Sequence, residues 1–176
     1  MGNWTRHDTR ALIEAAEERP IMSMWAARTI RRHHGEPGLV ERMARFEDFI
    51  FESDGRPHIW GEADCSLVVA DWVALNGYAD PGADWRGTYG TEAECRALLA
   101  RRGGLVSHIG ACAAAVGLIP IHEPEFGCIA VVGSASNPER QWSAIWNGFK
   151  WAVKWGDGKG SRWVPFMAPA LAMWRV

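Results

Sequence analysis

The stretch from residue 141 to 155 limits the fold more than any other part of the chain. Asn147-Gly148 stands between Gln141-Trp142-Ser143-Ala144-Ile145-Trp146 and Phe149-Lys150-Trp151-Ala152-Val153-Lys154-Trp155. An Asn-Gly pair between alternating segments is the strongest local signal for an antiparallel hairpin. A two-residue turn there pairs Trp146 with Phe149, Ala144 with Trp151 and Trp142 with Val153, and alternation adds Trp155 to the same face. Ser143, Ile145, Lys150, Ala152 and Lys154 fall on the other. The expectation is a half-buried hairpin with its aromatic side inward, as in a sheet covered by helices. A tryptophan-rich strand can also form a stacking platform for sugars or bases, but Ala144, Val153 and Phe149 on the same face favour core packing.

The rest of the chain supplies the helices. Thr5 with Asp8 three residues on resembles a capping box, and Leu12, Ala15 and Ala16 follow as an apolar stripe that Pro20 stops. Ser23 caps a second segment, residues 24–34, ending in Arg31-Arg32-His33-His34. Basic groups on a last turn complement the helix dipole, so this cluster reads as a solvated helix end. Pro37 is placed to begin a third helix, where Leu39, Met43, Phe46 and Ile50 recur at helical spacing. Asp64 and the apolar run Leu67, Val68, Val69, Trp72, Val73 predict a central helix that stops at Asn76-Gly77. Residues 78–90 carry turn chemistry. Thr91 with Glu94 caps a helix to about Arg102, and Gly103-Gly104 separates it from a small-residue helix over 105–116. Residues 128–132 predict a buried strand, 162–166 another, and 168–176 a short tail. The fold class expected is therefore α+β, a helical N-terminal half on a small antiparallel sheet.

Composition excludes several function classes. Nineteen basic and twenty-one acidic residues leave a formal charge of −2, too little positive field to grip a phosphate backbone, so nucleic acid is not an expected partner. The polar start, Met1-Gly2-Asn3-Trp4-Thr5-Arg6, lacks the apolar core of a signal peptide, and no apolar run reaches the length of a membrane span. Cys65, Cys95, Cys112 and Cys128 are too dispersed for a zinc or dithiol motif, and His33-His34 has arginine neighbours rather than further ligands. The glycines at 156, 158 and 160 do not have phosphate-loop spacing and precede a strand. No cofactor and no metal are expected.

Chemistry concentrates at Trp60-Gly61-Glu62-Ala63-Asp64-Cys65. An Asp64 cap places Cys65 in a first helical turn, where unpaired amides and the dipole favour a thiolate nucleophile. Cysteine in an apolar helix is equally a small buried hydrophobe, and an adjacent carboxylate opposes ionisation. Position alone leaves both readings open.

The run Trp60-Gly61-x-x-Asp64-Cys65-Ser66, the apolar helix behind it, the Gly-led strand and the Asn-Gly hairpin resemble the NlpC-type cell-wall cysteine peptidases of the papain-like superfamily. With Trp85-Arg86-Gly87, Arg102-Gly103-Gly104 and the closing Ala172-x-Trp174-Arg175-Val176, the chain is more closely similar to an uncharacterised family from phage and prophage tail gene clusters. The resemblance spans residues 45–176 and leaves 1–44 as a helical extension. It implies a papain-like domain with Cys65 at the nucleophile position and Trp60 and Asp64 as binding positions. It also implies a virion tail location after synthesis in the host cytoplasm, with other tail proteins, and peptidoglycan, as partners. The strand that should open with the general-base histidine reads Gln141-Trp142-Ser143-Ala144-Ile145-Trp146, with no histidine, and none follows His122. Without an imidazole, a cysteine lacks the acid that protonates a leaving amine. His58, His108 and His122 are the remaining replacements. The expected function is a structural or binding tail component with a degenerate site; the alternative is an active peptidase or amidase on peptidoglycan peptides.

Overall fold

The computed structural model describes residues 38–156 and 160–176. The two helices expected before residue 35, and Pro37, lie outside the described residues. Helix α1, Leu39–Ser53, starts from Gly38 in the left-handed region and buries Leu39, Met43 and Phe46 of the predicted stripe, with Ile50 half-buried against the same core. Phe46 meets the rings of Trp72 and Phe126 edge-on, both at 5.5 Å. Helix α2, Cys65–Leu75, buries seven of its eleven residues. An element apolar on nearly every side has to be enclosed, which makes α2 the centre of the domain. Its Trp72 is fully buried and satisfies its only polar atom by donating Nε1–H to the Gly127 carbonyl at 2.8 Å.

Helix α3, Glu92–Arg101, and helix α4, Leu105–Ala115, follow as expected. They are separated by Gly103 and Gly104 at φ 81° and 92°, a backbone that L side chains resist.

The sheet has six antiparallel strands in the order β1-β6-β2-β3-β4-β5. They are β1 Ile119–Pro120, β2 Ile129–Gly133, β3 Gln141–Trp146, β4 Trp151–Gly156, β5 Ser161–Phe166 and β6 Ala170–Arg175. All five residues of β2 are buried. The segment expected to be a tail is thus strand β6, hydrogen-bonded between β1 and β2. Its Ala-Leu-Ala-Met-Trp-Arg sequence lacks the polar alternation of a half-exposed strand.

The hairpin forms, with two corrections. Trp146 pairs with Trp151 and Ile145 with Ala152, a register two residues longer than a two-residue turn allows. Asn147 Oδ1 accepts from the amides of Phe149 and Lys150 at 2.9 and 2.7 Å, and Asn147 N–H donates to the Lys150 carbonyl. The side-chain turn makes Phe149 and Lys150 part of the loop. A shift of two preserves the pleat, so Trp142, Ala144, Trp146, Trp151, Val153 and Trp155 still share a face.

The second correction concerns which face the helices cover. Ile145 and Ala152 pack into the main core with Leu67, Trp72 and Val73. Ala144, Trp151 and Val153 form a second cluster with Cys128, Ala130 and Val132 on the opposite face. The polar residues that mimic a solvent face are internally paired: Ser143 Oγ bonds Ser66 Oγ at 2.8 Å, and Lys154 Nζ donates to the Ser53 carbonyl. Of the four hairpin tryptophans Trp151 is buried, Trp142 and Trp146 are half-buried, and Trp155 is 48% exposed.

Candidate functional site

Asp64 organises the start of α2. Its backbone is extended and its Oδ1 accepts from Ser66 N and Leu67 N at 3.0 and 3.1 Å, the N-cap its position predicts. Its Oδ2 accepts from Gly61 N at 3.1 Å and from the Tyr89 hydroxyl. Gly61 has φ 75°, and a Cβ there would lie 2.0 Å from the Tyr89 carbonyl oxygen. The Trp-Gly-x-x-Asp-Cys spacing therefore has a physical origin. Glycine lets the turn approach the 85–90 loop, and the aspartate closes the turn and caps the helix together.

That loop is fastened by Arg86. It pairs with Asp71 at 2.6 Å and Asp80 at 2.7 Å and donates to the carbonyls of Glu62 and Leu67. Its neighbouring carboxylates raise its pKa further, against the opposing effect of burial. The guanidinium fork thus stitches the loop to both sides of the Cys65 turn.

Cys65 opens α2 half-buried on the floor of a cleft of about 520 Å³. One wall is α3, through Glu92, Cys95, Arg96 and Leu99. The other is the approach to β3, through Pro138, Glu139, Gln141 and Trp142, with Trp60 and Asp64 beside the thiol. The sequence-predicted trio of Trp60, Asp64 and Cys65 is brought together. Asp64 cannot offer much to a ligand, because both of its oxygens are already engaged within the fold.

Burial pushes the Cys65 thiol from an ordinary 9.0 up to about 12, and the Asp64 charge adds to this. The helix start does not offset them. At pH 7 such a thiol is held protonated. Cys95, on the opposite wall, is raised to about 11, first by burial and then by Asp64.

No histidine lines this cleft. His58 packs edge-on against Trp60, centroids 4.7 Å apart, and Gly156 is tight against it, since a Cβ there would lie 2.6 Å from His58 Cβ. His108 is buried in α4 against Trp85 at 4.3 Å. Its two ring nitrogens have no hydrogen-bond partner among the described residues, and burial lowers its pKa. His122 is exposed. Gln141 opens β3 in the lining of the same cleft, and its Nε2 donates to the Ser134 carbonyl at 2.9 Å.

Gln141 stands in the strand position where the sequence leads us to expect a histidine; Cys95 and Arg96 carry no signal because α3 looks like an ordinary capped helix, Glu139 carries none in its short 3-10 turn, and Arg86 and Tyr89 offer only an aromatic, glycine-flanked loop. Among the described residues no group of three or more His, Cys, Asp or Glu side chains could hold a metal. No helix among them is long and apolar enough to cross a membrane. No curated protein and no solved structure matches the chain. Residues 39–176, from α1 through β6, fit the domain of unknown function DUF6950, and the chain belongs to that family.

Proposed function

We propose that this protein is a phage or prophage tail component, at the tail tip or in tail assembly, that keeps an NlpC-type papain-like scaffold and uses its cleft to bind rather than to cleave. The observation that carries the reading is the cleft itself. A cysteine stands at the start of the central helix, beside a strand that opens with Gln141, and no imidazole lines the space between them. A thiol held near 12 with no general acid is unsuited to acyl transfer. The tail assignment is supported by the Trp60-Gly61-x-x-Asp64-Cys65 signature and the segments that accompany it, with other tail proteins as partners.

Two measurements test the reading. Purified peptidoglycan incubated with the protein should release no soluble peptides, by chromatography and mass spectrometry, above the level of Cys65→Ser. The protein should also be present at fixed stoichiometry in purified particles from a host carrying its gene. Its absence both from particles and from complexes with other tail proteins during assembly would defeat the tail assignment. Peptide release by the wild type and not by Cys65→Ser would favour the second reading, an active peptidase or amidase, for which Cys65 at a helix start beside an open cleft is the supporting feature.

A further inference from the structure

We propose that helix α3 is a hinged cover over the Cys65 cleft, latched by an ion-pair strap from Arg96 to Glu139. The strap crosses from one wall to the other. Arg96 Nη1 donates to Glu139 Oε1 at 2.6 Å, a contact between residues 43 apart in sequence. The same guanidinium is aimed by Glu92, one turn earlier on α3, whose Oε1 accepts from Nη2 at 2.7 Å and Nε at 3.0 Å. Glu139 lies in the short 3-10 helix Pro138–Arg140 that leads into β3, so one cation joins α3 to the strand that carries Gln141 across the mouth of the cleft.

Three further features suit α3 to move as a unit. Leu98 is the only buried residue of its ten, whereas α2 buries seven of eleven, so little apolar surface resists its displacement. At its N-terminal end Thr91 Oγ1 accepts from Glu94 N, and the Glu94 carboxylate accepts from Gly90 N at 2.8 Å, which keeps the first turn intact. At its C-terminal end Gly103 and Gly104, both at positive φ, form a short joint to α4, held by Gly104 N–H donating to the Leu99 carbonyl at 2.8 Å, so movement of α3 there has that backbone hydrogen bond to break. The strap is solvent-exposed, with Arg96 and Glu139 side chains at 49% and 71% accessibility. Such pairs are weak and salt-sensitive, the property a reversible latch requires. The latch governs access to the binding cleft proposed above and rests on that reading only for its purpose. The latch itself is read from geometry.

The test uses the full chain and methyl methanethiosulfonate, with modification rates at each cysteine followed by peptide mass spectrometry. Glu139→Gln keeps size and removes the charge. Cys65 should react about two- to five-fold faster in Glu139→Gln than in wild type at low salt. Raising sodium chloride to about 1 M should speed the wild type to the variant's rate and leave the variant unchanged. Arg96→Gln should behave like Glu139→Gln, and amide exchange over residues 92–101 should rise in both. Equal Cys65 rates in wild type and Glu139→Gln at low salt would overturn the proposal. So would a parallel acceleration at Cys128, which is buried in the sheet and reports general loosening instead of a moving cover. Peptidoglycan cleavage, or absence both from particles and from assembling tails, would defeat the proposed function and leave the latch standing, so the two can fail separately.

Discussion

Replacing Asp64 should show how much of the domain depends on one carboxylate. Asp64→Ala removes the acceptor for Ser66 N and Leu67 N, a loss typical of an N-cap at about 0.5–2 kcal/mol. It also leaves the buried Gly61 N–H and Tyr89 O–H without their acceptor, at about 1–3 kcal/mol each. Together these come to about 2.5–8 kcal/mol, a large part of the 5–15 kcal/mol expected for a domain. Asp64→Asn keeps Oδ1 and the cap but turns an amide donor toward Gly61 N–H, so its cost should be smaller, about 1–3 kcal/mol. Urea unfolding followed by tryptophan fluorescence measures both, provided the slopes agree with wild type. The asparagine variant carries a second readout. Because the Asp64 charge helps to raise the Cys65 thiol, its removal lowers that pKa and should quicken alkylation at pH 9. A midpoint for Asp64→Ala equal to that of wild type, or equal losses for the two variants, would refute the assignment of Asp64 as joint cap and turn closure.

Further outcomes follow from single side chains. Trp151→Ala should cost about 3–5 kcal/mol, as large aromatic truncations in cores do, whereas the half-exposed Trp155 should tolerate Ala with a loss under about 1 kcal/mol in the same unfolding assay. Iodoacetamide at pH 6 should label Cys65 no faster than Cys95, because burial holds both thiols protonated; fast, selective labelling of Cys65 would mark an activated nucleophile. Gln141→His should bring an imidazole to the cleft and raise the Cys65 alkylation rate at pH 7 at least about tenfold, while an unchanged rate would show that residue 141 is not the vacated histidine position. His108 has a folded pKa below its unfolded value of about 6.5. Its contribution to stability is therefore complete above that pH and is lost as pH falls below it, since the unfolded chain takes up the proton first. His108→Leu should flatten the stability profile as pH falls below about 6.5, measured by urea midpoints.

What the sequence made legible divides along local and long-range physics. Helices α1 to α4 follow from spacing and caps that act within a few residues, such as Thr91 with Glu94 or Asp64 with Ser66 and Leu67. The hairpin faces were legible because the pleat alternates whatever the register, but the register was not, because Asn147 satisfies two loop amides with its own side chain. The direction of the core was misread for a related reason. Ser143 and Lys154 look like solvent-facing residues until Ser66 and the Ser53 carbonyl, 77 and 101 residues away, are seen to meet them. Cys65 was found because a cap precedes it, whereas Arg96 and Glu139 join the cleft only through tertiary structure.

The position of β6 has a consequence for how the chain reaches its folded form. Strand β2 emerges from synthesis about forty residues before β6, yet β6 supplies one of its two hydrogen-bonded neighbours. Until residues 170–175 are made, Ile129–Gly133 presents an open, wholly apolar edge, the kind of edge that recruits other strands. The β2 edge is thus closed by a strand made later than β3, β4 and β5, so the order of pairing in the sheet departs from the order of synthesis. High contact order of this sort slows folding. It also makes truncation from the C-terminal side a route to aggregation, and not to a smaller folded domain.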